Sequence, residues 1–79
     1  MGRKRALDRL QELLPEVERH LGRIFATPHH SSVRKWRGEV RAWLEQMQEV
    51  IRHVGKKTGE EWQTRIDSFR EQLGQETNS

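Results

Sequence analysis

The side chains best equipped for chemistry in this chain are four histidines, His20, His29, His30 and His53. Imidazole is a common zinc ligand and the usual proton carrier near neutral pH. Their spacing does not suit a shared metal. His29 and His30 are adjacent, no two histidines stand at the i, i+4 spacing of a helical zinc pair, and there is no cysteine to complete a ligand set. In an antiparallel helical hairpin His53 falls about 25 Å from the His29–His30 loop, at 1.5 Å of rise per residue. The expectation is surface or partly buried histidines, with no metal and no cofactor. Only a dimer that placed the His29–His30 pairs of two copies together would gather enough ligands.

Other catalytic signatures are missing from the sequence. It has no glycine-rich phosphate loop, no Gly-x-Ser-x-Gly, no His-Glu-x-x-His, and neither tyrosine nor cysteine. Its carboxylates alternate with basic groups, as in Lys35/Glu39 and Arg41/Glu45 at i, i+4, which is the pattern of a solvated helix face. A small helical domain also offers little concave volume for a substrate. The reading is a protein that is not an enzyme.

Two kinds of binding residue remain. The first are cations. Arg3, Lys4 and Arg5 open the chain, Arg34, Lys35, Arg37 and Arg41 form a second cluster, and Lys56 and Lys57 follow Gly55. Antiparallel helices would bring Lys56 and Lys57 beside the N-terminal cluster, making Arg3, Lys4, Arg5, Lys56 and Lys57 the candidate phosphate contacts. A helix-turn-helix centred on Gly55 does not fit. It would put Ile51 where a small residue is wanted and would bury Glu61 and Thr64. The second kind are tryptophans. Trp36, Trp43 and Trp62 lie on helical seams and read first as core. So few large residues must cover the seams, however, that a ring beside an arginine could remain at the surface as a hot spot. Trp36, Arg37, Trp43 and Trp62 are therefore the candidate partner contacts.

The elements that would position these residues follow from apolar spacing. Leu7, Leu10, Leu14, Val17, Leu21 and Ile24 repeat every three or four residues, with Ala6 and Leu13 on one side and Phe25 on the other. Pro15 interrupts this stripe on its polar side, so helix 1 is either kinked or split there, and the unbroken phase favours the kink. Thr27-Pro28 ends it. Ser31 or Ser32 caps a second helix carrying Val33, Trp36, Val40, Trp43, Met47, Val50 and Val54, broadened by Leu44 and Ile51. Its wide stripe marks it as central, and Gly55 ends it in a left-handed turn. Thr58-Gly59-Glu60-Glu61 has the form of a capping box for a third helix bearing Trp62, Ile66, Phe69 and Leu73, which Gly74 would end. Shallow-angle packing would set Phe25 near Val33, Leu14 near Leu44, and Trp62 near Ile51 or Val54.

Composition sets the scale. The chain has 79 residues, 32% of them hydrophobic and 34% charged, with a net charge of +3. One small domain with a thin core is all that length supports. Charge is polarised: acidic groups outnumber basic ones after Thr58, while basic groups dominate before it. No run approaches the roughly 20 apolar residues of a membrane span, and the basic start leads into no signal-peptide core. A soluble, cytoplasmic protein is expected.

The sequence thus predicts an all-α, small antiparallel three-helix bundle in a single domain spanning 1–79. Its helices run over about 4–26, 32–54 and 59–73, with a flexible tail at 75–79. The long seams would also support a dimer. The functional reading is a non-enzymatic protein-interaction module, such as an adaptor, inhibitor or regulatory subunit, that binds another protein or a second copy of itself. A basic nucleic-acid-binding accessory protein is the alternative. No membrane partner is expected.

Overall fold

The computed structural model describes the backbone of residues 2–77 and the side chains of residues 2–74. Three helices, α1 (Arg3–Ala26), α2 (Val33–Val50) and α3 (Lys56–Thr77), are joined by a short loop and by a 3-10 turn over Ile51–His53, with no strand among the described residues. They form the predicted three-helix bundle. α2 and the 3-10 turn touch both α1 and α3, whereas α1 and α3 share few direct contacts. The second helix is therefore the central one. The molecule is elongated, 40 × 19 × 15 Å along its principal axes.

α1 runs unbroken through Pro15, so the helix is not split there. Proline removes one backbone hydrogen bond and crowds the carbonyl four residues back, a cost of about 3 kcal/mol in a helix interior. Pro15 sits on the exposed side of α1. There water can take up the freed carbonyl, and the buried stripe on the far side continues on both sides of the proline.

That stripe is rotated from the expected one. Ala6, Leu10, Leu13, Val17, Leu21 and Ile24 are buried, while Leu7 and Leu14 are only partly covered. On α2 the buried set is Val40, Leu44, Met47 and Val50, continued by Val54 beyond the 3-10 turn, and Trp36 and Trp43 lie at its margin. α3 contributes Trp62, Ile66 and Leu73, with Phe69 partly buried. The tryptophans are thus not uniformly core: Trp62 is buried, and the two on α2 are half-covered.

Helix ends depart from expectation in three places. Ser32 precedes α2 but makes no side-chain cap. Instead its backbone N–H donates to His30 Nδ1 at 3.0 Å. The chain turns at Gly55, which has φ +89°, the left-handed conformation that glycine adopts most cheaply. α3 then starts at once, with the Gly59 N–H donating to the Gly55 carbonyl at 2.9 Å. Thr58 is consequently inside the first turn and no capping box forms. At the other end α3 passes through Gly74 to Thr77. A glycine inside a helix costs only about 1 kcal/mol, and the polar residues after it prolong the helix. Of the expected flexible tail, Asn78 and Ser79 lie outside the described residues.

One glycine has a packing role. A Cβ on the buried Gly59 would come within 3.3 Å of the Ile51 carbonyl oxygen, so its lack of a side chain lets the first turn of α3 close onto the 3-10 turn. Polar contacts fix the register. Gln48 on α2 and Gln63 on α3 exchange amide hydrogen bonds, Arg70 donates to the same Gln48 oxygen at 3.0 Å, and Arg9 on α1 donates to Gln46 at 2.8 Å.

Candidate functional site

Three places hold side chains that could act outside the core. The first is the junction of α1 with α2. His20 faces α2 because it flanks the buried stripe next to Leu21. Its Nδ1 donates to the Glu16 carbonyl at 2.9 Å, its Nε2 lies 3.2 Å from a Glu39 carboxylate oxygen, and the ring meets Trp43 edge-on at 4.7 Å. Both ring nitrogens thus face acceptor oxygens. This group clasps α1 to α2 and explains why Trp43 is half-covered. Glu39 is drawn to His20 rather than to Lys35, and the expected Lys35/Glu39 and Arg41/Glu45 pairs do not form.

The second place is the loop end, where α1 finishes and α2 begins. Thr27 closes α1, its hydroxyl donating to the Arg23 carbonyl at 2.7 Å. His30 stacks on Trp36 with ring centroids 4.8 Å apart, and the Arg23 guanidinium lies 6.0 Å from the same indole. In the last turn of α1, Phe25 is 48% exposed, the only large hydrophobe so exposed among the described residues. It continues the line of Leu7 and Leu14 along α1, beside Gly22, whose Cβ position is open space. Phe25 is therefore half in solvent and no part of the buried core.

The third place is the opposite end. The Arg3 guanidinium lies over Gly55, 3.5 Å from where a Cβ would stand. Arg3 thus stands beside the turn that leads into Lys56 and Lys57, and Arg3, Lys4, Arg5, Lys56 and Lys57 are all exposed at this end of the bundle. Arg52 joins them and pairs with Glu49 at 3.2 Å.

No family model matches this chain, nor does any curated protein or solved structure.

The residues singled out as partner contacts do not share one surface. Arg37 reaches across to α3 and donates to the Leu73 carbonyl at 2.9 Å. Trp62 is buried, with the Arg65 guanidinium 4.9 Å from its ring centroid. Trp43 is held by His20. Trp36 alone stands at the loop end, where the last turn of α1 also carries Phe25, an exposed aromatic not singled out as a partner contact. Phe25 occupies the margin of an apolar stripe at a helix end, next to a proline-containing loop, and that position was the available signal. The histidines stay apart: His20 is in the clasp and His30 is on Trp36, and no group of three metal-ligating side chains occurs among the described residues. Two open grooves between α2 and α3 are lined by mixed polar and apolar groups, including Arg41, Leu44 and Leu73 in one and Arg52, Gly55 and Lys56 in the other.

Proposed function

We propose that this chain is a helical interaction module, non-enzymatic, that engages a partner protein through its loop end. The observation that carries this reading is Phe25. A Phe side chain gains roughly 1.5–3 kcal/mol on full burial, yet this one is left half in water in a chain with little apolar material to spare. Large exposed aromatics with arginine and histidine around them have the composition of binding hot spots. Here Trp36, held flat by His30 and approached by Arg23, supplies a rigid second aromatic at the same end. Preorganised rings lose little freedom on binding, which favours them as anchors. No helix of the described residues is long and apolar enough to cross a membrane, which is consistent with a partner met in solution.

A photo-crosslinking residue placed at position 25, with a matched one at exposed Ser68 on α3, tests the reading in cells of the source organism. The expected result is one discrete protein adduct from position 25 and none from position 68. The purified partner should then lose at least tenfold in affinity on Phe25→Ser. Equal labelling from both positions, or full affinity after that substitution, would remove the assignment.

A further inference from the structure

The basic end of the molecule carries charge that the fold does not use. None of Arg3, Lys4, Arg5, Lys56 and Lys57 forms an ion pair among the described residues. They come from two separate stretches of chain, the first turns of α1 and α3, which the Gly55 turn brings to the same end, with Arg3 lying directly over the glycine. Asp8, Glu60 and Glu61 stand further along the same helices and do not neutralise them at ion-pair distance. Unpaired like charges brought together repel one another, so the arrangement costs stability unless a ligand of opposite charge is present.

The ligand's character follows from what else this end lacks. The one largely exposed large hydrophobe among the described residues, Phe25, is at the other end of α1. An anionic membrane surface generally needs an apolar or lipid anchor in addition to a basic patch, and a protein interface needs an apolar centre. No phenylalanine or tryptophan is exposed here among the described residues, and the imidazole of the exposed His53 is a single small platform, less than the run of rings on which successive unpaired bases stack. Several cations spread over the end of a bundle about 19 Å across instead match a ligand of repeated, regularly spaced negative charges. We propose that this end binds the phosphate backbone of duplex nucleic acid, with Arg3, Lys4, Arg5, Lys56 and Lys57 as the phosphate contacts. Sequence-independent binding is the form that backbone contacts alone can give. The site is separate from Phe25, so this proposal and the protein-interaction reading stand or fall separately.

The test uses the full chain with a fluorescently labelled duplex of about 20 base pairs, sized to exceed the footprint of the bundle end. Binding is expected at about 50 mM salt and should fall with a log–log slope between roughly −2.7 and −4.5, as neutralising about three to five phosphates requires. Reversal to glutamate at Lys56 and Lys57, or at Arg3 and Arg5, should each lower affinity at least tenfold. The neutral pair Lys56→Gln and Lys57→Gln should lower it by a smaller factor while keeping wild-type helicity. Reversal at Arg34 and Lys35, which also sit at a helix start but at the opposite end, should change it less than threefold. Absence of duplex binding at low salt would overturn the proposal, as would equal losses from the Arg34/Lys35 reversal. So would tighter retention on phosphatidylserine vesicles than on duplex, which would assign this end to a membrane surface instead.

Discussion

His20 shows what a single polar side chain contributes in a chain with so thin a core. It reaches two acceptors and a tryptophan at once, and it does so across a helix–helix seam rather than along one helix. An exposed i, i+3 pair such as Arg9–Glu12 contributes little beyond its own turn. The His20–Glu39 contact is mostly shielded on the histidine side, with the ring 12% exposed, and it links two elements. A double-mutant cycle of His20→Ala and Glu39→Ala, measured by chemical denaturation, is expected to give a coupling of about 1 kcal/mol. The same cycle on Arg9 and Glu12 should give about half that or less. Equal couplings would mean that the clasp is an ordinary surface contact. This cluster was hidden in the sequence because Lys35 stands at the favoured spacing from Glu39, and only the hairpin geometry offers His20 as the competing partner.

The glycines sort by what surrounds them at the level of the helix. Gly22 and Gly38 lie inside helices with open space where a Cβ would go, whereas Gly55 has a positive φ and Gly59 packs on the Ile51 carbonyl. Gly22→Ala and Gly38→Ala should each raise stability by up to about 1 kcal/mol. Gly55→Ala should lower it by about 1 kcal/mol through backbone strain. At Gly59 the helical gain of alanine is set against a close backbone contact, so a smaller gain than at Gly22, or a loss, is expected in thermal melts. The existence, number and order of the helices were legible because spacings of three and four residues run through each. The burial phase of α1 was not. Ala6 and Leu7 are adjacent, as are Leu13 and Leu14, so either member of each pair satisfies the period beside the shared Leu10, Val17, Leu21 and Ile24, and only the position of α2 selects Ala6 and Leu13. The start of α3 was missed for a different reason. A backbone cap from Gly55 needs no side chain, and Thr58 offered a more conspicuous one. Spacing also assigned the tryptophans to a face without giving their depth, which depends on how far each neighbouring helix overlaps them.

For the molecule as a whole, stability and the proposed binding at the basic end pull in opposite directions. Two helices, α1 and α3, begin at this end, and neither has an acidic residue in its first turn. Cations there oppose the helix dipole, an effect of about 0.3–1 kcal/mol for each charge placed against it. Arg3→Glu and Lys57→Glu should therefore each raise the melting temperature by a few degrees, because in a domain this small 1 kcal/mol corresponds to roughly 4–8 °C. The same substitutions should each weaken retention of duplex, by less than the double reversals. Scanning calorimetry at low salt, run beside the binding titration, checks the two signs together; a fall in melting temperature would show that these cations support the fold. That the first turn of α1 and the first turn of α3 share one end of the bundle was legible from the antiparallel order alone. The exposure of Phe25 was not, because the period of the stripe does not reveal where its cover ends.

α1 runs the length of the molecule, from Arg3 at the basic end to Ala26 beside the aromatic loop, and does so without a break at Pro15. It therefore acts as a strut. At 1.5 Å per residue it holds its two ends about 35 Å apart, a separation set by backbone hydrogen bonds rather than by a tether whose reach fluctuates. Occupants of the two ends would not collide, so occupation of one leaves the other sterically open. Anything carried at the loop end would then stand off from a surface at the basic end by a fixed distance, as an object mounted on a bracket does.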